Sequence, residues 1–514
     1  MSPYVLLSFV IGYFLLLLAV AWYTSRNSNN ESFFIGNKNS NWKLVAFGMI
    51  GTSLSGVTFV SVPGSVGNIG KLGAVPNALG YFQVVIGYLL GYIVVAYVLL
   101  PLYYKLNLTS IYNYLKQRFG GWAYKTGASF FILSRTVGAT ARLYLVINIL
   151  HFFILSQLHI PFWISAAVVL FMILLYTFEG GVKTIVYTDT LQTTLMVLGL
   201  VVCVFYILNR LDFSVADAVN GMEAKGLTKV FNTDINSAGF FVKQILGGMF
   251  ITIAMTGLDQ EMMQKNISVK TLKDSQKNIL VFSITLVFVN LLFLLLGGLL
   301  YLYAFNSGAD FTSKIINNEQ VWGLYHNNLN ITGDNLFPSI ALGLFQQAPA
   351  VISIIFIIAL ISALFPSADG ALTALTSSFC IDILGINERM DLTEKKKRNI
   401  RLSVHLSMTI IFFICILIFR EINSRSIIDK ILNLAGYTYG PLLGLFSFGI
   451  LTKRSLPDKF SIALIALVSP VICYFLQTNA ASLFGGYNIG IEILIINGLI
   501  TFTGLLMISK KTIV

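Results

Sequence analysis

The chain has 514 residues, 56% of them hydrophobic and only 11% charged, with a mean hydropathy of +0.79. Soluble chains carry roughly a quarter charged residues, so the composition excludes a soluble fold and predicts an all-α polytopic membrane protein. The formal charge of +12 points to basic cytoplasmic loops rather than to nucleic acid. Cys203, Cys380, Cys415 and Cys473 fall in apolar segments with no CxxC spacing, and the four histidines are scattered, so no disulfide framework or metal cluster is implied.

In chain order, 13 apolar spans are expected. The first seven are Tyr4–Tyr23, Trp42–Gly70, Asn77–Tyr104, Tyr124–Ser156, Phe162–Phe178, Thr184–Leu208 and Gly239–Leu258. The others are Ile279–Phe305, Ala350–Leu384, Leu402–Phe419, Ile427–Leu451, Phe460–Leu476 and Tyr487–Ile508. No basic residue precedes the first span and no small-residue cleavage site follows it, so it is expected to be retained. With the N-terminus outside, 23 Lys and Arg, including Arg26, Lys265, Lys273 and the Lys395–Arg398 run, fall on cytoplasmic connections and span edges. Nine fall on the opposite side, and Arg135 and Arg142 lie within a span. This asymmetry predicts an outside N-terminus and a cytoplasmic C-terminus, with the loops 209–238 and 306–336 outside.

The second span, WKLVAFGMIGTSLSGVTFVSVPGSVGNIG, is apolar at its ends and polar in its middle. Thr52, Ser53, Ser55, Thr58 and Ser61 interleave with Gly51 and Gly56, and Pro63 follows with Gly64, Gly67 and Gly70. Glycine and proline weaken the helical ladder, and hydrocarbon supplies no replacement partners for freed carbonyls. Such a break belongs in a protein-lined polar cavity, where transporters build solute and ion sites. The alternative is a tightly packed helix whose small residues serve helix contacts.

The ninth span carries Pro366 in its interior, with Ser362, Ser367, Asp369 and Thr373 around it. Proline removes one donor and frees the carbonyl of Ser362. A freed carbonyl, hydroxyls and a carboxylate suit a hard cation such as Na⁺, with Asp369 the acid nearest the proline. Asp382, further on, reads as the polar end of a packed helix. Asp189 lies about one and a half turns into its span, either as a functional acid or as an interfacial cap. Asp259, Gln260 and Glu261, at the end of the seventh span, read as structural.

These segments resemble the sodium:solute symporter family, which is similar in fold to the LeuT type. The resemblance rests on GTSLSGVTF, YNYLKQRFG, EGGVKTIVYTDTLQ, DQEMMQKNISVKTLKDSQKN and SADGALTALTSSFCIDIL, which occur in family order over nearly the whole chain. It implies a single transporter domain over 1–514 with a five-plus-five inverted repeat, 42–210 against 239–451, and one span before and two after. It also implies a sodium ion held by the carbonyls of Gly51, Leu54 and Ala363 and the hydroxyl of Ser367. Pro366 stands where the family usually offers a second hydroxyl. Asp189 matches the acid that some members use for a second cation. In the branch that transports sialic acid, the matching solute-binding positions are Ser53, Ser55, Thr58, Gln83 and Arg135.

The implied activity is sodium-coupled uptake of a small organic solute across a bacterial-type inner membrane, with no enzymatic chemistry, no nucleic acid and no obligatory protein partner. A solute sensor of the same fold is the other class, and ion-gradient-dependent uptake in proteoliposomes separates the two. No acid lies in Tyr124–Ser156 to neutralise Arg135. Its partner is then the solute, which predicts a carboxylate such as a sugar acid, or else a fixed pair with Asp189 or a carbonyl cluster, which favours a neutral sugar or polyol.

Overall fold

Hydrocarbon offers backbone N–H and C=O groups no partner, so an apolar chain of this length satisfies them within helices. The computed structural model describes residues 3–24, 33–34, 38–67, 78–178, 181–316, 319–326, 329–343, 348–422 and 427–511. Helix α1 (Pro3–Thr24) is followed by α2 (Trp42–Ser53), α3 (Gly56–Ser65) and α4 (Tyr81–Val94), the last extended by a π turn at Val95–Leu99. Next come α5 (Asn113–Phe119), α6 (Gly121–Leu150), α7 (Phe162–Thr177), α8 (Gly181–Leu211) and α9 (Val215–Ala224). Helix α10 (Phe241–Thr252), with a π turn at Ile253–Gly257, meets α11 (Gln260–Ile267) and then α12 (Leu272–Asn306). After a small sheet the chain continues as α13 (Leu336–Ala341), α14 (Ala350–Ser378), α15 (Glu394–Ile422), α16 (Ile427–Leu451), α17 (Ser461–Thr478) and α18 (Ile493–Ile508).

Among the described residues, nine helical segments are long and apolar enough to cross a bilayer, and two bent pairs raise the number to 11. The other two of the 13 expected spans are α7 and α18, 16 residues each. At the helical rise these are about 24 Å long, against about 30 Å of hydrocarbon. The expected positions all carry helix, but 11 segments rather than 13 have full spanning length.

Helices α2 and α3 form the first bent pair, at 57°. Helix α2 ends as the Leu54 N–H closes on the Ile50 carbonyl at 2.7 Å, and extended Ser55 opens α3. The bend therefore sits at the hydroxyl-rich Leu54–Ser55 step, and Pro63 lies inside α3 without ending it. Gly70 and Gly180 lie outside the described residues, as does Arg26. Likewise α14 runs through Pro366 as one helix of 29 residues.

The second bend, 65° between the Phe241–Gly257 segment and α11, lies where the sequence reading ended the seventh span. The side chain of Asp259 caps α11, accepting from the N–H groups of Glu261 (2.9 Å) and Met262 (3.3 Å). An aspartate N-cap with glutamate in the first turn is a helix-start signal, and it restarts the helix in a new direction. The loop over 306–336, expected outside, contains antiparallel strands β1 (Asp310–Ile316), β2 (Glu319–His326) and β3 (Leu329–Asn330), with Asp310 opposite Tyr325.

Packing brings the informative helices together. Helix α8 lies against both α14 and α2, α10 lies along α4, and α16 packs on α6 and α18. Helix α6 also touches α14. The bend of α2–α3 is thus enclosed by α6, α8, α12 and α14. All four cysteines are free, and three of them are buried, as packing residues.

Candidate solute and sodium site

The bend exposes backbone oxygens that a continuous helix would have used. Among the described residues, no backbone N–H donates to the carbonyls of Gly51, Thr52, Ser53 or Leu54. Gly51 admits no side chain: a methyl there would strike Thr193 Oγ1 and lie 3.5 Å from Pro366 Cγ. Its N–H donates to Thr193 Oγ1 at 3.1 Å. Past the bend, Gly56 faces the Leu360 carbonyl and Leu364 Cα. The freed carbonyls are therefore laid along the stretch of α14 that carries Ala363, Pro366 and Ser367. All of these positions are buried, and the Ser367 hydroxyl donates to the Leu364 carbonyl at 2.9 Å. Its lone pairs stay free, so the donors are neutral oxygens of the kind a small hard cation takes. Pro366 adds bulk and no hydroxyl.

Asp189 reaches the same neighbourhood from α8, and its surroundings correct two expectations. Lys265, counted among loop cations, is buried at 3% exposure on α11. Its ammonium lies 2.7 Å from Asp189 Oδ2 and 2.7 Å from Thr52 Oγ1. The second bend turns α11 into the protein, which linear charge counting does not register. Asp189 is thus an ion-paired core acid and not an interfacial cap. Asp369 accepts from the Tyr176 hydroxyl at 2.9 Å, and no basic side chain forms an ion pair with it among the described residues. Asp382 accepts from Tyr124 (2.9 Å) and Ser378 (2.6 Å), a structural end of the helix.

Beside the bend lies a cavity of about 770 Å³, counting its open mouth. Thr52, Ser53, Leu54, Ser55 and Thr58 line it from the bend, and Tyr81, Tyr88 and Tyr92 from α4. Thr252 and Thr256 face it from the α10 segment, Asn290 from α12, and Arg135 and Arg142 from α6. Its walls are mixed, with hydroxyls and aromatic rings beside apolar side chains such as Met255 and Leu286, as suits a polar organic molecule.

Gln83 does not line this cavity. Its amide donates to the Gly80 carbonyl at 3.0 Å and its oxygen accepts from the Asn232 N–H at 3.4 Å. At about 100° per residue, Gln83 lies on the far side of α4 from Tyr81, whereas Tyr88 and Tyr92 return to the face of Tyr81. Arg135 is also spoken for. Its guanidinium is ion-paired with Glu261 on α11, both side chains nearly fully buried. The fixed pair is therefore with Glu261, not Asp189, an acid that the sequence reading had set aside as structural. Arg142, seven residues further along the same helix face, is half-buried and has no ion-pair or hydrogen-bond partner among the described residues. The α4 tyrosines, Asn290 and Lys265 were not singled out from the sequence. The 81/88/92 spacing and the i,i+4 pair Glu261–Lys265 were the available signals.

Two broken helices and a buried polar cavity at the first break, inside a helical bundle, define a secondary transporter of the LeuT type. The family model for the sodium:solute symporter family matches residues 33–457, and the chain belongs to that family. It is 22% identical over 502 residues to the sodium/sialic acid symporter NanT of Aliivibrio fischeri, covering 94% of this chain and 90% of that one. It is also 22% identical to the sodium/sialic acid symporter SiaT of Proteus mirabilis, covering 96% and 93%. A solved substrate-bound, outward-open Na⁺-coupled sialic acid symporter superposes with a TM-score of 0.78 at 19% identity, covering 98% of this chain and 99% of that one. The protein is a multi-pass membrane transporter in which sodium is the coupling ion and a small organic solute the cargo.

Proposed function

We propose that the cargo is an organic carboxylate, a sugar acid of the sialic acid kind, and that Arg142 receives its carboxylate. The carrying observation is that Arg142 faces the cavity unpaired while the other arginine, Arg135, is neutralised by Glu261. An always-charged guanidinium inside a span is costly without an anion, and its planar fork suits a two-point contact with a carboxylate. Ser53, Ser55 and Thr58 would bind hydroxyls of the solute, with Tyr81, Tyr88 and Tyr92 as the facing wall. The two full-length relatives are named for sialic acid, which carries one carboxylate on a polyhydroxylated frame. The test is uptake into proteoliposomes under an inward sodium gradient, with the acid and amide forms of one sugar acid. Accumulation of the acid alone is expected, and equal handling of the amide would remove the carboxylate reading.

Sodium is assigned to the carbonyls of Gly51, Leu54 and Ala363 and the hydroxyl of Ser367, where the bend meets α14. Solute and sodium then tighten each other's binding equally. Ser367→Ala removes one ligand and is expected to raise the half-saturating sodium concentration roughly tenfold, the scale of one hydrogen bond to a charge. Folded yield should stay near wild type. Replacing Na⁺ with choline should abolish accumulation, and survival of uptake in choline would point to another coupling ion.

The repeats 42–210 and 239–451 are inferred from the two bends, each opening one half. The N-terminus is placed outside and the C-terminus in the cytoplasm of a bacterial-type inner membrane. Reporter fusions at Asn29, Asn328 and Lys510 are expected to read inside, outside and inside. An outside reading at Lys510 would invert or dismantle the repeat.

A further inference from the structure

We propose that Lys265 is a built-in cation that occupies the place beside Asp189, so that this chain carries one sodium ion per transport cycle rather than two. The proposal rests on the sodium reading given above and adds to it the residue that sets the stoichiometry.

The ammonium of Lys265 is held as a metal ion would be. Asp189 Oδ2 and Thr52 Oγ1 lie 2.7 Å from it, and Glu261 Oε1 lies 3.8 Å away on the same helix. Thr52 also turns its hydroxyl to Asp189 Oδ2 at 3.2 Å. Two carboxylates and a hydroxyl, all buried, are the hard oxygen ligands a monovalent cation takes. The tethered ammonium already supplies the charge that Asp189 needs inside the protein, and a sodium ion brought to the same carboxylate would meet a like charge at close range. Asp189 Oδ1, without a hydrogen-bond partner, is what remains of that carboxylate's capacity.

The arrangement has a second consequence for coupling. Lys265 belongs to α11, beyond the second bend, and Thr52 to the last turn of α2, before the first. The ammonium therefore joins the two broken helices through Asp189 on α8, next to the bend where the transported sodium is assigned. A tethered charge cannot leave with the solute, so it holds these elements together without adding to the driving force. The second cation seat is replaced by a side chain.

The experiment counts bound sodium on purified full-length protein in detergent, using saturable ²²Na⁺ binding with no solute present. Wild type is expected to bind one ion per chain. Asp189→Asn is expected to leave that count at one, because Asp189 ligates Lys265 and not sodium. Lys265→Met, which frees the carboxylate, is expected to raise the count to two, and adding Asp189→Asn to it should return the count to one. Two ions on wild type, with one lost in Asp189→Asn, would overturn the proposal. So would a count of one in a folded Lys265→Met protein. If Lys265→Met does not fold, the Asp189→Asn count decides alone. Failure of the underlying sodium reading has a separate signature, a wild-type protein whose ²²Na⁺ binding is absent or unmoved by Ser367→Ala.

Discussion

Arg142→Gln is expected to weaken binding of a carboxylate solute by roughly a hundredfold while leaving the folded protein intact. A bidentate guanidinium–carboxylate contact supplies two charge-assisted hydrogen bonds. Each is worth about 1.5–3 kcal/mol, and loss of 2–3 kcal/mol corresponds to roughly 30- to 150-fold. Stability should change little, because Arg142 has no ion-pair partner within the described residues to be left uncompensated. Arg142→Lys keeps the charge but loses the fork, and an intermediate loss of about tenfold is expected. Direct binding of the acid and amide forms to the three proteins is the measurement. The assignment fails if glutamine binds the acid as wild type does, or if acid and amide are never distinguished.

The largest effect on stability is expected at Glu261. Its carboxylate neutralises Arg135 and approaches Lys265, with 1% of its side chain exposed. Glu261→Ala strands a buried guanidinium, and breaking one side of a buried pair costs about 3–5 kcal/mol. Removing both members with apolar groups of similar size, Arg135→Met with Glu261→Met, leaves no orphan charge and should recover most of that loss. Thermal unfolding in detergent of Glu261→Met, Arg135→Met and the double closes the cycle, with Glu261→Ala beside it. If Glu261→Ala melts within a degree or two of wild type, the pair does not hold α6 to α11. Gly370 provides an independent check, since any side chain there would run into the Glu261 carboxylate.

The two halves of the candidate site differed in how legible they were before the fold was known. The bend at Leu54–Ser55 was visible because five hydroxyls within ten residues of an apolar span contradict hydrocarbon, and the contradiction is local. The membrane class and the helices were readable for the same reason. Partner identity was not readable in this way. Glu261 and Lys265 sit in a segment whose polarity matches an ordinary cytoplasmic loop, and only the 65° turn at Asp259 carries them into the protein. Gln83 was placed by the family resemblance, and its position on the far side of α4 from Tyr81 takes it off the cavity. Arg135 and Arg142 share a helix face, so nothing local says which of them finds a carboxylate 126 residues away. The strands over 310–330 escaped because none is long enough to register as a span and their pairing involves only one another.

The ion pairs also have an order in time. Arg135 is made before Glu261, which follows 126 residues later, and Asp189 before Lys265, which follows 76 later. At about 5–20 residues per second, the fourth span waits roughly 6 to 25 s on the ribosome's clock for its counter-charge, and the sixth roughly 4 to 15 s. During that interval each is a helix with an uncompensated charge, whose residence in lipid costs about 2.5–3.5 kcal/mol at the bilayer centre. The nascent first half is therefore expected to linger at the insertion machinery until the seventh span emerges and α11 folds in. A chain truncated before residue 261 should be cleared by membrane quality control rather than accumulate as a stable half-transporter.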